Sequence, residues 1–599
     1  MKRWLKRSMS TALTAAITMS ISVGMLGTSV SAASPLEAEH KTFTNESFAY
    51  PETPTGPTTI AEFKQQTWGV HDTEFLYDSD TDTYYAYVTN SSEVRSSTDL
   101  INWTSAGNRT GRAWAPCIIE LKTPINYEGT DYKYLAYDST SGFGTRDSRI
   151  NRYFSNSPYE GFVSAGIAIQ SVTDPWDGFD FNALDAKIFY DKDDNLWMSY
   201  GSWFGGIYVV AIDETTGLPE EGALPGKRVC YRNINHAAIE GSNIIYNPDT
   251  GYYYLNVSYD DMDSTYNVRI GRSRNPQGPY LDYNGQDLNN TTINSSESWK
   301  VGTKITTPYY FEHDTGWYST GHSSFIYNSD TNEYFISTNA RASDIGGGTK
   351  LNVRKIFWTE DGWPTVMPEQ YTSETEQTVP TALIPGVYQI IPILRESLPE
   401  TTAECQRGNE VIVLNDDNTV TGYFTGYWAQ TDEHTIKMLL NGVEYTLTVA
   451  AVWDWELGKP TLAFTGLSKA GDVNDDYAGI QLWGKQVDPT PLVQGSYDNL
   501  TLQSSTRLDL ALPTPYYTGV NITWQSQNKE ILNDDGTLNH RPAEDTYVLM
   551  VATLSLGEAT MTKAFPVLVY ADTVEEQSDP IAQYSFNDEA TWLKDDSGK

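Results

Sequence analysis

His71-Asp72-Thr73-Glu74-Phe75-Leu76-Tyr77, followed by Asp78-Ser79-Asp80-Thr81-Asp82-Thr83 and then Tyr84-Tyr85, is the stretch from which the fold is read. An apolar run, an Asp-rich turn and an aromatic run make a β-hairpin. The same order returns at Asp185-Ala186-Lys187-Ile188-Phe189-Tyr190, at Glu240-Gly241-Ser242-Asn243-Ile244-Ile245-Tyr246 and at His322-Ser323-Ser324-Phe325-Ile326-Tyr327. A looser copy starts at Trp114-Ala115-Pro116 and resumes at Tyr132-Lys133-Tyr134-Leu135. Five hairpin-bearing repeats without helical periodicity predict radial blades, a five-bladed β-propeller over residues 61–375. A parallel β-helix would need shorter and more regular repeats.

The repeat places chemistry as well as structure. Asp72, Asp185, Glu240 and His322 each stand at the start of a copy. Innermost propeller strands surround a central channel, so these residues converge on one spot. Gathering carboxylates costs energy through repulsion and desolvation, and folding gains nothing from it. Function is the better explanation.

Several local patterns do not carry the chemistry they suggest. The Asp78–Thr83 turn starts like an EF-hand loop, but it lacks Gly at the sixth position and has Thr89 where a bidentate Glu belongs. Gly346-Gly347-Gly348-Thr349-Lys350 lacks phosphate-loop spacing. Neither H-E-x-x-H nor G-x-S-x-G occurs.

The 599-residue chain carries 40 Lys and Arg against 78 Asp and Glu, a formal net charge of -38. Such a surface repels phosphate backbones and excludes nucleic acid as a partner, while a neutral polymer is not repelled. Residues 1–32 read as a signal peptide: Lys2, Arg3, Lys6 and Arg7, an apolar stretch from Ala12 to Val30, and the small-x-small end Val30-Ser31-Ala32. No later stretch is apolar enough to span a bilayer. The expectation is an extracellular monomer without membrane insertion. Cys117, Cys230 and Cys405 show no metal spacing and no disulfide framework.

The motifs H-D-T-E at His71, W-A-P at Trp114, N-A-L-D at Asn182, Y-G-S-W-F-G-G-I at Tyr200, A-I-E-G-S at Ala238 and G-H-S-S at Gly321 resemble glycoside hydrolase family 43. As a set they are most similar to its endo-α-1,5-L-arabinanases, from about Gly69 to Tyr371. The resemblance implies Asp72 as general base, Glu240 as general acid and Asp185 as the carboxylate that orients the acid and raises its pKa. It implies His322 beside a mostly water-coordinated calcium ion, and plant cell-wall arabinan as the polymer. It also implies inversion, which would set the Asp72 and Glu240 carboxyls ~6.5–9.5 Å apart. Thr73, Cys117 and Ser323 depart from the family pattern without touching the carboxylates. Trp114, Phe143, Trp203 and Phe204 are candidate sugar platforms, and Asn182 and Ser202 candidate hydroxyl ligands. The alternatives are an exo-acting α-L-arabinofuranosidase or β-xylosidase on the same fold, a non-catalytic carbohydrate-binding propeller, and a surface adhesion protein.

The rest reads as accessory β structure. Residues 33–60 are an N-terminal linker, 378–488 a β-barrel or sandwich, 495–571 a bacterial Ig-like β-sandwich, and 580–599 the start of a lectin-like domain. Asp488-Pro489-Thr490-Pro491 reads as a linker.

Overall fold

The computed structural model describes residues 34–571 apart from 66–67, 172–179, 235, 313, 343–347 and 400–404. The leader over residues 1–32 and the lectin-like start over 580–599 lie outside the described residues.

The repeats form five sheets, antiparallel apart from short parallel edge pairings at Asn289–Asn290 and Arg407–Gly408. Their first strands are Glu74–Asp78, Trp114–Tyr127, Lys187–Tyr190, Ile239–Asn247 and Trp317–Asn328. Each first strand packs against the first strands of the sheets before and after it, and the fifth closes onto the first. Adjacent residues on a strand face opposite ways, so both faces of each sheet must be apolar. In the third sheet Ile188 joins a core shared with the second sheet, through Cys117, Leu135 and Ile150. Its neighbour Phe189 joins the core shared with the fourth, through Ile244 and Leu255. In the fifth sheet Phe325 packs toward the fourth and Ile326 toward the first. This two-sided burial is why the repeat carries unbroken apolar runs rather than strict alternation.

The backbone opens each of these strands in the same unusual way. Asp72 (φ 50), Ala115 (φ 40), Asp185 (φ 56), Gly241 (φ 58) and His322 (φ 43) all sit in the left-handed region. The pairing register breaks around Ala115, Gly241 and His322. Two residues further on, a buried tie crosses between sheets. Lys187 Nζ donates to Glu74 Oε2 at 2.6 Å and to Ser324 Oγ at 3.2 Å, and Ser324 Oγ donates to Glu74 at 2.8 Å. The first, third and fifth sheets are joined by that one network.

Eight further strands, from Gly386–Ile393 to Gln481–Val487, form a closed barrel around Trp428, Leu447, Leu462 and Phe464. The barrel is seated on the fifth sheet through Trp453, Trp455 and Trp483, which share a core with Trp317 and Val366. The segment before residue 60, expected as a linker, lies along the barrel instead. Lys41 N donates to Gln430 O at 2.8 Å and Trp453 Nε1 to Thr58 O at 2.9 Å.

One expectation is corrected in the C-terminal region and another is refined. The linker read at Asp488–Pro491 opens a helix, Thr490–Asn499. Proline is tolerated in a first helical turn, where its missing N–H has no partner to lose. The unit read as an Ig-like β-sandwich shows, among the described residues, one four-stranded sheet. In its strand Thr546–Leu556, Val548, Met550, Ala552 and Leu554 are buried while Tyr547 and Leu549 on the other face are exposed. The new helix covers one end of the buried face, packing Leu492 and Val493 with Ala552 and Leu554, while Leu510, Ile531 and Leu532 cover Val548 and Met550 at the other.

Between the five sheets and the barrel, Lys485 is buried among Glu369 (3.0 Å), Asp454 (3.1 Å) and Glu456. Its ammonium also lies 4.4 Å from the centre of the Phe311 ring. Burial, then the charge of Glu369, push Glu456 up to about 8 against the pull of Lys485. A carboxyl raised in the folded state contributes stability that is complete below the ordinary carboxylate range and is lost as pH rises through that value. Removing the lysine leaves buried charge uncompensated, which costs about 3–5 kcal/mol. Lys485→Met is therefore expected to lose that much at pH 8 and less at pH 5, where the carboxyls take up protons. Equilibrium denaturation followed by tryptophan fluorescence checks it, and an equal loss at both pH values would contradict it.

Candidate active site

At or beside the left-handed residues, Asp72, Asp185, Glu240 and His322 come together near one end of the five first strands. Asp72 is nearly enclosed, at 7 % exposure. Its Oδ1 accepts from His71 Nδ1 at 2.7 Å, from His322 Nδ1 at 2.9 Å and from Asn339 Nδ2 at 3.4 Å. Its Oδ2 accepts from Thr89 Oγ1 at 2.7 Å, and that hydroxyl in turn accepts from Ala115 N at 2.7 Å. Burial opposes a charge here, but the two imidazoles outweigh it and hold Asp72 well below the usual carboxylate range. Burial likewise opposes a charged His322, but Asp72 and then Asp185 outweigh it and raise His322 to about 9.

Glu240 sits in a different setting. Ser202 Oγ donates to Oε2 and Tyr266 OH to Oε1, both at 2.9 Å. Asp185 reaches the next peptide along, since Gly241 N donates to its Oδ2 at 3.1 Å. Gly241 has no side chain for a reason of space. A Cβ there would stand 3.0 Å from Cγ and Nδ1 of His322, on a backbone of φ +58. Burial first, and then the charges of Glu240 and Asp72 against the pull of His322, raise Asp185 to about 7. The sequence expectation put the raised value on Glu240. The raised group is Asp185, and the charge of Glu240 is one of the causes.

The sugar-contact candidates divide. Trp203 (φ 55) and Phe204 (φ 43) ride a tight loop in which Gly201 and Gly206 pack backbone against backbone; a Cβ on Gly201 would meet Gly206 O at 2.2 Å. Trp203 is 36 % exposed, and Phe143, in the turn after Thr130–Ser141, is 84 % exposed. Phe204 stacks edge-on with His236, and Trp114 is half-buried. Asn182 and Ser202 both make contacts within the protein. Asn182 is buried, accepts from Ser148 Oγ at 2.6 Å and donates to Ser202 O at 2.9 Å, so its amide braces the loop that carries Ser202. The Ser202 hydroxyl is committed to Glu240.

Four polar contacts escape the sequence reading: His71, Thr89, Tyr266 and Asn339. His71 could have been found from its place beside Asp72. Thr89 drew notice only as the residue that spoils an EF-hand. Tyr266 and Asn339 come from second and third strands or their loops, where the repeat gives no signal.

The cation expected beside His322 can be tested on its atoms. Nδ1 is spent on Asp72, while Nε2 is buried and has no hydrogen-bond partner among the described residues. One nitrogen suits a cation only if water supplies most of its ligands, since calcium takes 6–8 oxygens. The three-carboxylate group close enough to hold a metal among the described residues is Glu369, Asp454 and Glu456, around Lys485 at the barrel seat and not here.

Residues 68–364 match glycosyl hydrolases family 43, residues 368–473 a C-terminal lipocalin-like domain and residues 492–572 an atrophied bacterial Ig domain. The chain is 33% identical over 415 residues to an extracellular endo-α-(1→5)-L-arabinanase of Thermotoga petrophila, covering 65% of this chain and 82% of that one. It is 33% identical over 331 residues to extracellular endo-α-(1→5)-L-arabinanase 2 of Bacillus subtilis, covering 53% and 68%. The crystal structure of the endo-1,5-α-L-arabinanase from Thermotoga petrophila superposes with a TM-score of 0.61 at 30% identity, across 70% of this chain and 99% of that one. With its carboxylates gathered from three sheets and a relative matched over more than four-fifths of its length, the chain belongs to glycosyl hydrolases family 43.

Proposed function

We propose that this protein is an exported arabinanase that cuts internal α-1,5-L-arabinofuranosidic bonds with inversion, on a five-bladed β-propeller whose blades are the five sheets. The observation that carries the reading is the contrast between carboxylates. Asp72 is held as an anion by two imidazoles, while Asp185 is raised to about 7 beside Glu240. Glycoside hydrolysis with inversion needs one carboxylate to take a proton from water and one carboxyl to give a proton to the leaving oxygen.

In the proposed reaction Asp72 takes a proton from a water as its oxygen attacks the anomeric carbon. The glycosidic carbon–oxygen bond breaks, and Glu240 gives its proton to the departing oxygen. Asp185 holds the peptide next to Glu240. His322 Nε2 could join the ligands of a largely hydrated calcium ion only after losing the proton that Asp72 and Asp185 favour on the imidazole, and the ion would then supply the positive charge beside the base. Trp203 and Phe143 are the exposed rings suited to stack on sugar faces.

Asp72→Asn and Glu240→Gln are each expected to fold and to lose ~10²–10⁴-fold in turnover on linear arabinan. A variant that keeps most of the wild-type rate removes its residue from the mechanism. Thorough chelation is expected to reduce activity and added calcium to restore it; full activity with no bound metal would contradict the calcium proposal. An endo enzyme releases mixed oligosaccharides early with a rapid fall in viscosity. Monosaccharide alone from the first minutes would establish the exo alternative.

A further inference from the structure

We propose that Tyr266 is a positioning residue for Glu240, and that Gly321 is glycine because the Tyr266 ring occupies the space of its side chain. The inference rests on the reading of Glu240 as the acid. Tyr266 is 2 % exposed and precedes strand Asn267–Ser273, at the end of the fourth sheet where Ile239 and Glu240 begin theirs. Its hydroxyl donates to Glu240 Oε1 at 2.9 Å. A Cβ on Gly321 would stand 2.3 Å from Cδ1, 2.4 Å from Cγ and 2.7 Å from Cε1 of that ring. The glycine of G-H-S-S thus makes a seat between the fourth and fifth sheets. Its neighbour His322 serves Asp72, so one short segment sets both reacting carboxyls.

The loop that delivers Tyr266 is fixed at several points. Thr320 Oγ1 donates to Tyr266 O at 3.3 Å, Ser319 N to Ser264 O at 2.8 Å and Arg341 Nη2 to Asp263 Oδ1 at 2.8 Å. At its start, Asp260 pairs with Arg232 at 2.5 Å and accepts from Asn267 Nδ2 at 2.9 Å. Burial and then the neighbouring charges of Glu240, Asp72 and Asp185 keep the phenol neutral, so it remains a donor.

The chemistry gives this hydrogen bond a direction. Before reaction Glu240 is a neutral acid and a modest acceptor. As its proton passes to the leaving oxygen it becomes a carboxylate, and a hydrogen bond to an ionised acceptor is roughly twice as strong. The contact therefore strengthens toward the transition state, which raises kcat rather than tightening ground-state binding. Ser202 does the same for Oε2. Together the two donors fix the carboxyl plane and leave each oxygen one further lone-pair site.

The test compares two substrates on the full chain. One is an arabino-oligosaccharide, whose departing sugar hydroxyl needs a proton. The other is an aryl arabino-oligosaccharide, whose nitrophenolate leaves without one. Tyr266→Phe keeps the ring on its seat and removes the hydroxyl. It is expected to lower kcat on the first substrate about tenfold with KM little changed, and to spare the second. Gly321→Ala, which displaces the ring, is expected to show the same leaving-group dependence, with thermal melting to establish that it folds. Glu240→Gln separates the two levels of the argument. If it loses equally on both substrates, the acid assignment fails. If it spares the aryl substrate while Tyr266→Phe loses equally on both, or on neither, or loses only through KM, the tyrosine inference is overturned and the acid assignment stands.

Discussion

Asp72, Ala115, Asp185, Gly241 and His322 share a positive φ, and the site depends on that repeated kink. An extended strand would alternate its side chains between the two neighbouring cores. The left-handed residue breaks that alternation and frees one side chain per sheet. Residues other than glycine hold such a conformation at a cost of about 1–3 kcal/mol each and need surroundings that over-determine them. Those surroundings are present. Each first strand is clamped by two apolar cores, and the Lys187–Glu74–Ser324 network joins three sheets just beyond the kinks. The second sheet contributes only a methyl group at the shared position, and the N–H of Ala115 supports Asp72 through Thr89.

Much of this was legible in the chain. The Asp- and Asn-rich hairpin turns marked the repeats, and ionisable residues at equivalent places marked the site. The reading failed where function passes through side chains off the repeat. Asn182 and Ser202 were matched to sugar because polar residues in a motif invite that role. One also braces a loop and the other also hydrogen-bonds Glu240. Tyr266 reaches Glu240 only because a glycine fifty-five residues later leaves its ring a seat, and no local pattern encodes a contact between a loop and another sheet. The helix at Thr490–Asn499 was hidden by two prolines that read as a linker. The Ig-like unit was read as two sheets because alternation in Thr546–Leu556 shows that one face is covered, not what covers it.

The two buried aspartates of the site differ in what surrounds them. Asp72 and Asp185 are both buried aspartates on matching kinks. Asp72 has two imidazoles against it and stays charged, whereas Asp185 faces Glu240 and is raised. Environment rather than residue type separates the two. The proposed mechanism turns on this asymmetry, because water must be activated on one side of the bond and the leaving oxygen protonated on the other. Proton NMR of the first product released from arabino-oligosaccharide tests it most directly. The account predicts that the newly formed reducing end appears first as the β-anomer and equilibrates afterwards. Release of the α-anomer, with configuration retained, would contradict it.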